Sequence, residues 1–162
     1  MPLFSTDKFQ IERNCENIYN ISESVIPPDE REVAAMIDQI MEYNKKFVEN
    51  KGYEPFLTSK YPDKKLAILT CMDTRLIELL PAALGIKNGD AKIIKNAGGT
   101  MVHPYGSVVR SLLVGILELG VEEVMVIGHT DCGVQGMDGK EMLELLEKRG
   151  IDKQHIDIVR HS

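Results

Sequence analysis

Apolar residues along this 162-residue chain fall into two rhythms, and the change of rhythm near residue 64 divides it. Before that point, Pro27-Pro28-Asp29 precedes a stretch in which Val33, Met36, Ile37, Ile40, Met41 and Val48 recur at helical spacing. Asp29 with Glu32 forms a capping-box pair, so the pattern predicts a helix starting there that packs on a sheet or on a partner chain. Residues 52–63, with two prolines, read as a connecting loop. Short aliphatic runs then alternate with longer helical ones. The prediction is strand Leu66 to Thr70, helix Arg75 to Leu84, strand Ala91 to Lys95, helix Tyr105 to Leu119, strand Val124 to Ile127 and helix Lys140 to Arg149. Gly120 and Gly150 follow the last two helices as stop signals.

Strands alternating with helices imply an α/β fold, a central mostly parallel sheet flanked by helices. Ile93-Ile94 and Val124-Met125-Val126-Ile127 are apolar on both faces and read as central strands covered on both sides. Val108, Val109, Leu112, Leu113, Ile116 and Leu117 give the long helix a wide apolar surface that reads as core.

Composition narrows the class. A hydrophobic content of 43% supports a core, and the length suits one domain, residues 29–162, behind an N-terminal arm, residues 1–28. Apolar runs fall short of the roughly 18 residues a membrane span needs, and the N-terminus lacks a basic-then-apolar leader. A formal charge of −6 with scattered lysines argues against nucleic acid. The 3 cysteines are an odd number and fit a reducing compartment, hence a cytoplasmic location, better than a disulfide framework. Cys15, in a polar stretch, reads as an incidental thiol.

The candidate chemistry lies in Cys71-Met72-Asp73-Thr74-Arg75 and His129-Thr130-Asp131-Cys132. Taken singly, Cys71 is a small buried hydrophobe and His129 a polar residue at a loop entrance. Both, however, follow the carboxyl ends of predicted strands, where open α/β sheets bind ligands. Zinc prefers thiolate and imidazole, and three protein ligands leave the fourth place open for catalysis. Asp73 and Arg75 are spaced so that a guanidinium can fork onto a carboxylate. Such an aspartate could orient or deprotonate a water at the metal, or ligate the metal itself. Asp131 is a partner behind the ligands or a turn-stabiliser. Asn96-Ala97-Gly98-Gly99-Thr100 is a tight turn that lacks the spacing of a dinucleotide site or a P-loop.

In order and separation, Cys71-x-Asp73-x-Arg75, Asn96-Ala97-Gly98-Gly99 and Gly128-His129-x-x-Cys132-Gly133 resemble the β-class carbonic anhydrases, and the chain is most similar to their compact prokaryotic group. The resemblance implies zinc-dependent hydration of carbon dioxide to bicarbonate and a proton by zinc-bound hydroxide. It implies one zinc per chain on Cys71, His129 and Cys132, and Asp73 with Arg75 as catalytic dyad. Gly98 and Gly99 would flank the substrate, and the protein would be a homodimer or higher homo-oligomer. It also implies a further C-terminal strand and helix beyond residue 162. His103 is a candidate proton relay. Carbonyl sulfide or carbon disulfide hydrolysis uses the same chemistry and stays open, as does a non-catalytic zinc-binding regulatory role. A redox role fits less well, since Cys71 and Cys132 lack Cys-x-x-Cys spacing.

Overall fold

The computed structural model describes residues 30–161. The arm, Cys15 and the Asp29 cap lie outside them. In chain order the elements are α1 (Glu30–Glu49), β1 (Leu66–Cys71), α2 (Leu76–Leu84), β2 (Ala91–Asn96), α3 (Ser107–Glu118), β3 (Glu123–Ile127), α4 (Gly139–Lys148) and α5 (Lys153–His161). They form two compact units. One, Phe56–Met137, holds the sheet with α2 and α3; the other holds α1, α4 and α5.

Among the described residues the sheet has three strands in the order β2-β1-β3, all parallel. β1 is central, and Ala67, Ile68, Leu69, Thr70 and Cys71 are all buried. Side chains alternate between sheet faces, so Ile68 packs with Leu76 and Leu80 of α2, while Ala67 packs with Leu112 of α3 and with Val121. Helices therefore cover both faces of β1. Register is tied at the upper end, where the fully buried Thr70 hydroxyl donates to the Ile127 carbonyl at 2.9 Å. α2 stops at Gly85 (φ 61°), whose N–H reaches Ala82 O while Ile86 N–H reaches Pro81 O.

Two expectations from the apolar pattern are corrected. β2 and β3 are edge strands of this sheet, and Ile93, Val124, Met125 and Val126 are exposed, the last at 60%. On α3 only Leu112 and Gly115 are buried, whereas Leu113, Ile116 and Leu117 face outward, so its wide apolar surface is not all core. An all-apolar run shows that a strand can be covered, but what lies on its far side depends on pairing that the run does not encode.

In the other unit, Ile37, Met41 and Val48 are partly covered and Asn44 is buried, while Met36 and Ile40 of the same predicted stripe are exposed. The Asp138 carboxylate caps α4 by accepting the Lys140 N–H at 2.8 Å. After it, α5, an element the apolar pattern did not predict, buries Ile156. No helix among the described residues is long and apolar enough to cross a membrane.

Candidate metal centre

The sheet brings the two motifs together at the carboxyl end of β1 and β3. Cys71 is the last residue of β1, paired with Asn96 of β2, and Thr70 pairs with Ile127, the last residue of β3. His129 and Cys132 lie on the loop that leaves β3. One donor atom each from Cys71, His129 and Cys132 falls within 4.8 Å of the other two, the one such cluster found among the described residues. All three lie within one compact unit.

The donor geometry fits a soft divalent metal. Cys71 Sγ and Cys132 Sγ are 3.7 Å apart. Two thiolates bound at about 2.3 Å to a tetrahedral zinc are about 3.8 Å apart, the same spacing without a disulfide. His129 Nδ1 lies 2.9 Å from the Thr130 carbonyl, so a proton donated there leaves the lone pair on Nε2. That Nε2 is buried with no hydrogen-bond partner, a costly state for a ring nitrogen unless a ligand takes it up.

The thiol and imidazole shift in opposite directions, each favouring the other's charged form. Contact with His129 first, then the Asp73 amide, lowers Cys71 to about 7; burial opposes this, and the Gly98 amide and Cys132 assist. The Cys71 sulfur in turn raises His129 above the usual imidazole value, against its desolvation. The site thus favours thiolate, the form that binds metal.

Asp73 and Arg75 form the expected fork. Arg75 Nε donates to Asp73 Oδ1 at 2.9 Å and Nη2 to Oδ2 at 2.8 Å, while the Arg75 backbone amide also bonds Oδ1 at 2.9 Å. These bonds hold the Asp73 carboxyl far below the usual carboxylate range and raise Arg75. Asp73 Oδ2 sits 3.9 Å from His129 Nε2, beside the donor cluster. Lys95 Nζ approaches the Asp73 carbonyl at 3.5 Å.

Asp131 is fully displayed, its side chain 92% exposed, yet its carbonyl accepts from Arg75 Nη2 at 2.8 Å. Sequence reasoning left its role open, because a backbone acceptor leaves no trace in residue type. The glycine turn is structural as well: Asn96 bonds both the amide and carbonyl of Thr100, and buried Gly99 packs on the Thr70–Cys71 peptide. His103 is exposed on the following loop and outside the donor cluster.

A family model described as carbonic anhydrase matches residues 66–159. The candidate carbonic anhydrase YtiB of Bacillus subtilis strain 168 is 52% identical over 128 residues, covering 79% of this chain and 68% of its own length. The crystal structure of β-carbonic anhydrase isoform I from Trichomonas vaginalis superposes with a TM-score of 0.66 at 37% identity, covering 75% of this chain and 66% of that one. A carbon disulfide hydrolase of Saccharolobus solfataricus is 36% identical over 96 residues, 59% of this chain and 45% of that protein. The chain thus spans about two thirds of the length of the first two relatives.

Proposed function

Because the chain belongs to the β-class carbonic anhydrase family, we propose that it interconverts carbon dioxide and bicarbonate, with Cys71, His129 and Cys132 holding one zinc ion per chain. The observation that carries this reading is the convergence of two thiols and one imidazole within 4.8 Å beside an arginine-held carboxylate. Zinc bound by these donors supplies Lewis acidity that makes water a nucleophile near neutral pH. The chain's own residues do the rest.

Arg75 keeps Asp73 ionised and engages both its oxygens, which restrains the carboxylate from turning onto the metal donors. The lone pairs left on Asp73 can accept a hydrogen bond from water entering beside His129 Nε2, from which Oδ2 stands 3.9 Å. Gly98 and Gly99 are assigned to the substrate side of the turn through their backbone, since the space a side chain would fill is taken by Val134 at Gly98 and by the Thr70–Cys71 peptide at Gly99. The outward-facing Leu113, Ile116 and Leu117 of α3 and the apolar β3 support assembly as a homodimer or larger homo-oligomer. Free thiols at the site support a cytoplasmic, reducing setting.

Kinship with a carbon disulfide hydrolase supports a second reading, hydrolysis of carbon disulfide or carbonyl sulfide by the same donors. Both readings are tested by stopped-flow carbon dioxide hydration, from mildly acidic to mildly alkaline pH, on protein whose zinc content is measured in the same sample. Fast turnover rising with pH is expected. Full zinc with no carbon dioxide turnover but with carbon disulfide hydrolysis replaces the first reading by the second; protein that takes up no zinc refutes both.

A further inference from the structure

Arg75 bridges two loops that are 56 residues apart in sequence. Its Nη2 carries two protons: one goes to Asp73 Oδ2 at 2.8 Å and the other to the Asp131 carbonyl at 2.8 Å. Nε and the backbone amide add two bonds to Asp73 Oδ1. A third nitrogen, Nη1, reaches Asp131 Oδ2 at 3.4 Å, but that carboxylate is 92% exposed, and an ion pair in such a place is weak. The short bond to the carbonyl is therefore the contact that matters. Lysine, with one nitrogen, cannot reproduce the fork and the bridge together.

The bridged loops are those that carry the donors. Cys71 precedes Asp73 by two residues, and Asp131 lies between His129 and Cys132. Asp131 also adopts φ 54°, a left-handed conformation that non-glycine residues hold only where surroundings fix it. A carbonyl turned toward Arg75 is one such fixing contact.

We propose that Arg75 is a positioning residue for the metal: by joining Asp73 to the Asp131 carbonyl it latches the His129–Cys132 loop over Cys71. This goes beyond its partnership with Asp73 and rests on reading the donor cluster as a zinc site. Charge alone predicts the opposite sign, since a guanidinium repels a nearby dication and its removal should tighten binding. The latch predicts weaker binding, because loss of a partner behind the ligands costs about 10- to 100-fold in affinity.

Freeing Asp73 could add a ligand and mask the effect, so the test starts from Asp73→Asn, which gives up the Oδ2 bond but keeps an Oδ1 acceptor for Arg75 Nε and the Arg75 amide, and so keeps Arg75 tied to both loops. Zinc affinity is measured by competition with a chromophoric chelator for that variant, and again with Arg75→Ala or Arg75→Lys added. Both additions should weaken zinc about tenfold or more. Asp131→Gly, which keeps the carbonyl and suits the left-handed turn, should leave affinity unchanged. Equal or tighter binding in both Arg75 variants overturns the latch. Amide hydrogen exchange of residues 128–134 is then compared in zinc-free wild-type, Arg75→Ala and Arg75→Lys proteins. Faster exchange in both variants is expected, and unchanged exchange overturns the latch without reference to zinc. A loosened loop in a protein that takes up no zinc leaves the latch standing and refutes the zinc reading instead.

Discussion

Replacing Gly99 with alanine separates two ways in which a glycine can be required. A Cβ at Gly99 would stand 2.9 Å from the Thr70 carbonyl carbon and 3.1 Å from both the Cys71 nitrogen and Thr70 Cα. These are backbone atoms of the central strand, which cannot swing aside as a side chain tip can. Gly99 also has φ 64°, where an L-residue loses roughly 1–2 kcal/mol. Overpacking into a rigid neighbour adds about 1–3 kcal/mol, so Gly99→Ala should lose about 2–5 kcal/mol. Gly85 is the control: φ is 61° but a Cβ there meets nothing within 4 Å, leaving only the roughly 1–2 kcal/mol backbone cost. Urea unfolding of both variants measures the difference, which should appear as a lower midpoint at similar slope. Relief of the clash moves the Thr70–Cys71 peptide, so Gly99→Ala should also weaken zinc binding while Gly85→Ala should not. Equal stability of the two variants, with zinc binding intact in both, would refute the argument from close packing.

Cys132→Ser should lose most bound zinc, whereas Asp73→Asn should retain zinc and lose most turnover; equal zinc loss in both would remove the division between ligands and dyad. In zinc-free protein the Cys71 thiolate should form around pH 7 rather than 9.0, read as the ultraviolet thiolate absorbance missing from Cys71→Ser. Because the folded value is the lower one, its contribution to stability is full above 9.0 and is lost as pH falls through about 7. His129 has the opposite sign: its contribution is full below 6.5 and disappears as pH rises through its raised value. A Cys71 signal centred at the ordinary thiol value would contradict the thiol–imidazole pairing. Thr70→Val, which keeps shape but deletes the bond to the Ile127 carbonyl, should cost about 1 kcal/mol in chemical unfolding, and a neutral result would show that the bond adds nothing to the β1–β3 register.

The parts of the molecule that residue type encodes were legible in the sequence. Leu66–Cys71 is a short apolar run and Ala91–Asn96 centres on Ile93-Ile94, each between turn signals, and their strands differ from expectation by one terminal residue each. Cys71, His129 and Cys132 were recognisable as a set because few other chemistries explain those three donors after strand ends. Neighbour-dependent properties were not legible. Val124–Ile127 has the composition of a covered strand, yet among the described residues β3 pairs with β1 alone and leaves Val126 exposed. The same holds for Met36 and Ile40, whose spacing is helical but whose burial depends on what the helix meets. The Arg75 bridge was invisible for another reason: its acceptor is a carbonyl on a residue at φ 54°, and neither property has a residue-type signature strong enough at aspartate to predict it.

Register is what converts two distant motifs into one centre. β1 and β3 are paired Leu66↔Glu123 through Thr70↔Ile127, so the next residue of one strand is Cys71 while the other continues through Gly128 to His129. Paired strands lie about 4.8 Å apart, which places residues just beyond a matched end within reach of a single ion. A one-residue slip would turn the side chains of β3 to the other face and carry the His129 loop along the strand by about 3.3 Å. That displacement is larger than a metal–ligand bond of about 2.3 Å, so such a slip would break the donor cluster. The buried Thr70 hydroxyl, bonded to the Ile127 carbonyl one residue before Cys71, therefore protects the chemistry by resisting that slip. Arg75 acts beyond the strand ends, where ladder hydrogen bonds no longer hold the loops. The two contacts are in series: Thr70 fixes where the His129 loop begins, and Arg75 fixes the turn that returns Cys132 to within 3.7 Å of Cys71.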